Sequence, residues 1–209
     1  MHLEKVSELK DRLKGDLPGM SAQMEMAPYL RDIKDFEFQN EAKTIQSGVL
    51  ILLYQYKDEL HIPFMLRTSY VGAHSGQVSF PGGKKEESDD DLVATALRES
   101  EEELGIPAKD VEILGSISTL FISISNFSVL PVVGFMNERP DFIKEPHEVE
   151  EVIEAPISHL LRSSTVKEKD MHVRTGFRLR APYYAVDNHT IWGATAMMLR
   201  EFLTIYKEL

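Results

Sequence analysis

A continuous apolar run at 47–56, SGVLILLYQY, constrains the fold most strongly because it is typical of a buried strand. A second strand is predicted at 60–67, after polar turn residues, and the two strands are expected to form a hairpin. Further strands are predicted at 77–80, 111–121, 127–136, 150–155 and 177–186. Strands and helices interleave along the chain, which predicts an α/β or α+β class with helices packed on a mixed sheet.

Helical spacing of apolar residues marks both ends of the chain. Apolar residues at 3, 6, 9 and 13 predict a helix that belongs to an N-terminal helical extension of about residues 1–40. Gly193–Tyr206 predicts a closing amphipathic helix. A central helix is predicted at Asp91–Leu104, because aspartates precede it and Gly105 follows it as a stop. A chain of 209 residues can bury one core, so a single domain over 1–209 is expected.

The charge is acidic and unevenly placed. The chain has 23 Lys and Arg against 34 Asp and Glu, a formal charge of −11. Residues 84–103 hold nine acidic and three basic residues, and residues 138–154 hold seven and two. These two segments account for the whole net charge, with −6 and −5. The balance argues against nucleic-acid and anionic-membrane partners, since both need a basic surface.

The residue types that are missing narrow the chemistry further. The chain contains no cysteine, which excludes disulfides, thiolate zinc sites and a cysteine nucleophile. No apolar run approaches the roughly 20 residues that span a bilayer, and the N-terminus lacks the apolar segment of a signal peptide. We therefore expect a cytoplasmic protein.

Three glutamates on the central helix form the densest chemical cluster. Glu99, Glu102 and Glu103 stand at i, i+3 and i+4, which places their carboxylates on one helix face. Such oxygen ligands suit Mg²⁺ or Mn²⁺, and Arg98 at i−4 from Glu102 can neutralise part of the cluster. Gly82 and Gly83, just upstream, let the backbone approach a ligand, and a free carbonyl there can complete a metal shell. The alternative is a solvated acidic helix face.

This segment resembles the Nudix box, the signature of Nudix hydrolases. The residues that match the box are Gly83, Asp89, Arg98, Glu99, Glu102, Glu103, Gly105 and Ile106. Asp89 replaces the usual Glu, eight residues rather than seven separate it from Arg98, and Ser100 takes a position that is normally apolar.

The spacing resembles the coenzyme A pyrophosphatase branch of that family, where two glycines precede two acidic positions and an Ala-Leu-Arg-Glu sequence. An upstream motif of the branch is matched by Arg67, Thr68, Gly76, Phe80, Pro81, Gly82 and Gly83, with His74 and Gln77 in a common form of it. Gly72 stands where the branch has a second arginine.

The resemblance implies a Nudix fold, an α/β/α sandwich around a mixed sheet, and an enzyme that uses Mg²⁺ or Mn²⁺. The implied reaction is hydrolysis of the pyrophosphate bond of coenzyme A or acyl-coenzyme A to 3′,5′-ADP and (acyl-)4′-phosphopantetheine. ADP-ribose, NADH or a dinucleotide are alternative substrates, and a nucleotide-binding module without activity is the alternative from another class. The implied partner is a small-molecule nucleotide, and a homodimer is a further option because Nudix relatives are often dimeric.

The resemblance also implies roles for individual residues. The implied metal ligands are Glu99, Glu102, Glu103 and the Gly82 carbonyl, with Arg98 holding the carboxylates in place. The implied substrate-binding residues are Arg67, Phe80, Pro81 and Gly83. Glu99 is the first choice as the base that activates water, and Glu148 and Glu151 are alternatives as base or additional ligand.

Overall fold

The computed structural model describes residues 2–30, 44–68, 76–123, 125–172 and 178–209. Gly72 and His74 of the upstream motif lie outside these ranges, as does part of the predicted N-terminal extension. Among the described residues, no helix has the length and apolar character needed to cross a membrane.

Five α-helices and twelve strands are described. The helices are α1 (His2–Arg12), α2 (Met20–Gln23), α3 (Leu92–Leu104), α4 (Ile157–Leu160) and α5 (Gly193–Tyr206). The first strands are β1 (Tyr29–Leu30), β2 (Ile45–Tyr56), β3 (Glu59–Arg67), β4 (Val78–Ser79), β5 (Gly82–Lys84) and β6 (Glu112–Ser116). The later strands are β7 (Leu120–Ile122), β8 (Phe127–Met136), β9 (Val149–Pro156), β10 (Val166–His172), β11 (Arg178–Val186) and β12 (His189–Trp192).

The larger sheet is mixed and is organised around β2. One edge of β2 pairs in parallel with β8, and β2 also pairs antiparallel with β3 and with β5. Strand β3 carries β4 and β9, whereas β8 carries β6 and β7. A smaller antiparallel sheet forms around β11, which pairs with β1, β10 and β12. The predicted apolar run therefore lies at the centre of the larger sheet.

Side chains that alternate along β2 fill two separate cores. Leu50 and Leu52 belong to the cluster that includes Ala96 and Leu104 of α3. Ile51 and Leu53 point to the other face and belong to the cluster that contains α5 and much of the smaller sheet. Gly48 allows α3 to approach β2 closely, because a Cβ there would overlap a backbone carbonyl of the helix. These layers confirm the predicted α/β fold with helices on both faces of a mixed sheet.

The N-terminal segment packs onto the rest of the chain through apolar and polar contacts. Val6, Leu9 and Leu13 are buried in the same cluster as α5. Glu201 of α5 is fully buried and accepts hydrogen bonds from the Gly19 N–H at 3.0 Å and from Gln23 Nε2 at 2.7 Å. This packing supports the proposal that the N-terminal segment and the remainder form one domain.

Candidate active site

Helix α3 is stabilised by hydrogen bonds at its start and at its end. Asp91 is the N-cap, and its side chain accepts a hydrogen bond from the Ala94 N–H at 2.8 Å. Gly105 ends the helix in the left-handed conformation with φ 67°, as its position in the sequence predicts. The N–H groups of Ile143 and Glu145 donate to the carbonyls of residues 104 and 103, both at 2.9 Å. The second acidic segment of the sequence is thereby bonded to the carboxylate-bearing end of the helix.

Glu103 is the most buried of the three helix glutamates. Its side chain is 3% exposed and accepts hydrogen bonds from the Gly82 N–H at 2.8 Å and from Arg67 Nη2 at 3.2 Å. Burial raises the pKa of Glu103 to about 8, even though Arg67 and the Gly82 N–H oppose that shift. Gly82 has φ 149°, and a Cβ there would overlap the backbone of β2. Only glycine therefore fits where this N–H meets the carboxylate.

Glu99 lies against the second glycine of the loop. A Cβ at Gly83 would overlap the Glu99 carboxylate, so the missing side chain of the glycine leaves the space that this carboxylate fills. Burial raises the pKa of Glu99, and the charges of Glu102 and Glu148 act in the same direction. Arg98 opposes the shift through an ion pair at 3.1 Å. A carboxylate with a raised pKa among like charges is stabilised when a cation binds nearby.

Arg98 forms hydrogen bonds both to the helix carboxylates and to the loop that precedes the helix. Its Nε and Nη2 donate to the two carboxylate oxygens of Asp89 at 2.8 and 3.0 Å. Its Nη1 pairs with Glu102 at 3.1 Å, and Nη2 also donates to the Lys84 carbonyl at 3.1 Å. Thr95 Oγ1 donates to Asp89 at 2.9 Å. Arg98 holds the pKa of Asp89 well below its usual range.

The two additional glutamates lie in different surroundings. Glu148 is exposed, and its charge contributes to the raised pKa values of both Glu99 and Glu103. Its backbone is held by the Thr68 N–H, which donates to the Glu148 carbonyl at 3.0 Å. Glu151 instead pairs with His189 Nε2 of β12 at 3.1 Å. Glu148 therefore acts electrostatically on the helix carboxylates, whereas the contact described for Glu151 is with His189.

The predicted substrate-binding residues divide into two groups. Phe80 is buried and stacks on Phe64 with ring centroids 4.9 Å apart, and the Pro81 carbonyl accepts a bond from the N–H of residue 50 at 2.9 Å. Both support the glycine loop from within the core. Arg67 and Gly83 reach the carboxylates directly. Contact of any of the four with a substrate stays a prediction.

The donor set fits a hard divalent cation. Glu103 Oε1 and the Gly82 carbonyl share Arg67 Nη2 as a donor, and Glu99 and Glu102 share Arg98 Nη1. Within the described ranges, no three acidic or histidine side chains are already gathered around one point. The arginines explain this, because ion pairs with Arg67 and Arg98 hold the carboxylates, and Glu102 is 59% exposed.

Two supporting contacts were not evident from the sequence. Thr68 Oγ1 donates to the His147 carbonyl at 2.8 Å and so fixes the loop that carries Glu148. Asp89 matches the box as an acidic residue. Its bidentate contact with Arg98 could not be predicted from helical spacing, because Asp89 precedes the helix. Both contacts depend on the tertiary structure.

Comparison with known proteins agrees with this fold. A family model described as the NUDIX domain matches residues 44–171, well over half of the chain. The chain therefore belongs to the Nudix family.

Particular relatives fall within the same family. Proteins called "Uncharacterized Nudix hydrolase NudL", from Yersinia pestis (strain Pestoides F) and Yersinia pseudotuberculosis serotype O:1b, are 39% identical over 134 residues. The alignment covers 64% of this chain and 66% of theirs, so this chain spans just under two thirds of the relatives' length.

Among solved structures, a MutT/nudix family protein from Enterococcus faecalis has a TM-score of 0.53 and 16% identity. That match covers 82% of this chain and 66% of the other. A NUDIX hydrolase from Alicyclobacillus acidocaldarius has a TM-score of 0.50 and 15% identity, over 58% of this chain and 83% of the other. At these identities the two structures support the Nudix fold alone.

Proposed function

We propose that the protein is a metal-dependent pyrophosphohydrolase that cleaves the phosphoanhydride bond of a nucleoside diphosphate derivative. One observation carries the proposal. Two poorly exposed glutamates with raised pKa values, Glu99 and Glu103, lie against a glycine loop whose backbone touches both. Carboxylates in this setting are poised to bind a cation or to exchange a proton.

The side chains have distinct proposed roles. Glu99, Glu102, Glu103 and the Gly82 carbonyl hold Mg²⁺ or Mn²⁺. When bound, the metal neutralises charge on the pyrophosphate and lowers the pKa of a coordinated water. Arg98 keeps its carboxylate partners in position, since Asp89 fixes its guanidinium from the other side.

Proton removal from the attacking water needs a carboxylate base. Glu99 is the first choice, and Glu148 is the alternative. The exposure of Glu148 and its electrostatic influence on Glu99 and Glu103 support it over Glu151, which is paired with His189. Replacement of each carboxylate by its amide separates these roles, because loss of the base removes the ascending limb of the pH–rate profile.

Coenzyme A or an acyl-coenzyme A is the proposed substrate, with 3′,5′-ADP and (acyl-)4′-phosphopantetheine as products. The support is that the upstream branch motif and the Nudix box share contacts. Arg67, from the motif, donates to Glu103 of the box and to the Gly82 carbonyl between them. These contacts join the motif on which the coenzyme A proposal rests to the proposed carboxylate site.

A product assay tests the substrate class directly. The purified protein is incubated with Mg²⁺ or Mn²⁺ and with coenzyme A, acetyl-coenzyme A, ADP-ribose, NADH, a dinucleoside polyphosphate or dNTPs. Products are identified by mass spectrometry and ³¹P NMR. We expect coenzyme A to give 3′,5′-ADP. Turnover of another compound without turnover of coenzyme A would overturn the substrate proposal and leave the reaction class intact.

A matched pair of variants tests whether the site is catalytic. Glu103→Gln removes a proposed ligand, whereas Glu101→Gln removes an exposed charge from the same helix. We expect the first to abolish turnover and the second to retain it, with both folded by circular dichroism. Equal turnover by the two variants would overturn the catalytic role of Glu103.

Location and assembly remain parts of the proposal. We propose a cytoplasmic enzyme whose partner is a small-molecule nucleotide, and a homodimer as its assembly. Light scattering after size-exclusion chromatography measures the mass in solution. A mass near 24 kDa would contradict the dimer, since one chain is 23.8 kDa.

A further inference from the structure

The guanidinium of Arg67 contacts two oxygen atoms that are also proposed for the metal. Its Nη2 donates to Glu103 Oε1 at 3.2 Å and to the Gly82 carbonyl at 3.4 Å. Both acceptors lie at the inner end of the carboxylate cluster, and the Arg67 side chain is 20% exposed. One cationic group therefore bridges an acidic side chain and a backbone carbonyl at the point where a divalent cation would bind.

The backbone of Arg67 is fixed, so that any movement is confined to its side chain. The Arg67 N–H donates to the Gln77 carbonyl at 3.0 Å, and the N–H of the next residue, Thr68, donates to the Glu148 carbonyl at 3.0 Å. The strand end is thus bonded to two separate segments.

Arg98 provides an internal contrast within the same site. It has a bidentate partner, Asp89, which is outside the proposed ligand set and has a side chain only 4% exposed. Arg98 can therefore keep its position when its other carboxylate partners bind a cation. The acceptors described for Arg67 are both within the ligand set. Repulsion between like charges acts on both arginines, but only Arg67 lacks an anchor among the described contacts.

We propose that Arg67 and the divalent cation compete for Glu103 Oε1 and the Gly82 carbonyl, so that metal binding releases the Arg67 guanidinium toward the anionic substrate. This inference rests on the proposed metal role of Glu103. Arg67, which is proposed to bind the substrate, would then also determine the affinity for the metal. Metal and substrate then bind cooperatively, because the cation frees the side chain that meets the phosphate groups.

Metal titration of the full chain tests the competition without any substrate. Mn²⁺ binding is measured by calorimetry for the wild type, Arg67→Met, Arg67→Lys and Arg139→Gln. Arg67→Met removes the competing charge, and we expect Mn²⁺ to bind on the order of tenfold more tightly. Arg67→Lys retains the charge and should stay close to wild type. Arg139→Gln is the matched control, because Arg139 forms its ion pair with Glu154.

Two results separate this inference from the function on which it rests. Equal or weaker Mn²⁺ binding by Arg67→Met, while Glu103→Gln still abolishes binding, would overturn the competition alone. Mn²⁺ binding that is unaffected by Glu103→Gln would overturn the metal role of Glu103 and the inference with it.

A second measurement uses the wild-type protein and so does not depend on the folding of a variant. The Arg67 and Arg98 Nε–H NMR signals are assigned by their loss in Arg67→Lys and Arg98→Lys. On titration with Mg²⁺, the Arg67 signal should shift and exchange faster with water, whereas the Arg98 signal should stay protected. An Arg67 signal unchanged at saturating Mg²⁺ would contradict the release.

Discussion

Replacement of Asp89 by asparagine is the sharpest test of how the site is supported. The Asp89 carboxylate accepts two hydrogen bonds from Arg98, one from Thr95 Oγ1 and one from the Glu86 N–H at 2.9 Å. Asparagine keeps the shape but loses the charge, and it turns an amide donor toward the donors of Arg98. The variant should unfold more easily and should bind metal less well, because Arg98 is then free to hold its other carboxylate partners more tightly.

The size of the effect follows from the burial of the pair. Breaking a fully buried ion pair costs about 3–5 kcal/mol. Here the Asp89 side chain is 4% exposed but that of Arg98 is 22% exposed, so water screens part of the loss. We expect the free energy of unfolding to fall by about 2–3 kcal/mol, or roughly 4–12 °C in Tm for a chain of this length. Asp90→Asn, which changes an exposed neighbour, should be neutral.

The pH dependence of this difference identifies its cause. Arg98 and the other donors keep the pKa of Asp89 below its usual value in the folded protein. The carboxylate therefore stabilises the fold fully above about pH 4, its unfolded pKa, and the stabilisation is lost as pH falls toward the folded pKa. Urea unfolding of both proteins from pH 7 to pH 3 measures the gap. A gap that stays constant over that range would refute the assignment to the Asp89 charge.

Three further outcomes test other parts of the structure. Gly83→Ala should displace the Glu99 carboxylate and lower kcat/KM by about a hundredfold, with near wild-type circular dichroism; full activity would contradict the packing. Metal affinity should rise with pH up to about 8 and then level off, because the cation must displace a proton from Glu103; calorimetric affinities that do not change between pH 6 and 8 would disagree. Glu201→Gln should lower the free energy of unfolding by about 1–3 kcal/mol in urea titrations, because a buried acceptor is lost, while kcat per folded molecule is unchanged.

The central helix could be predicted from the sequence because its signals are local. Aspartates at the start and Gly105 at the end predicted Asp91–Leu104, and the helix runs over Leu92–Leu104 with Asp91 as its cap. The apolar run at 47–56 likewise predicted most of β2, whose bounds are Ile45–Tyr56. Each prediction rested on residues that are close in sequence, and tertiary packing did not override them.

Strands without an apolar pattern were not predicted. β10 has the sequence VKEKDMH, in which charged residues occupy both faces. It forms a strand through its pairing with β11, and its composition does not indicate one. The single strand predicted at 111–121 is two strands, β6 and β7. Residues 117–119 belong to neither strand, although the N–H of Ile117 still donates to the Pro131 carbonyl of β8 at 3.0 Å. The predicted N-terminal helical extension of about residues 1–40 contains a strand, β1, as well as α1 and α2 within its described part.

The choice between Glu148 and Glu151 could not be made from the sequence. Period-two alternation along β9 would place Val149, Glu151 and Ile153 on one face. A register shift opposite Leu66 and Arg67 breaks that alternation, so Val149 joins the core beneath α3 and Ile153 joins the core on the other side. Such an irregularity depends on the partner strand, and nothing within residues 149–153 marks it.

The bonds between residues 143–145 and the end of α3 have a consequence for how substrate arrives. They bond two acidic segments, which together carry the whole net charge, to each other at the end of α3. The proposed site therefore lies beside an excess of negative charge, which would repel an anionic nucleotide at a distance. Counter-ions limit the range of that repulsion to a Debye length of about 8 Å at physiological salt. Added salt should thus speed the encounter with substrate, the reverse of the behaviour of an enzyme that attracts its substrate through a basic surface.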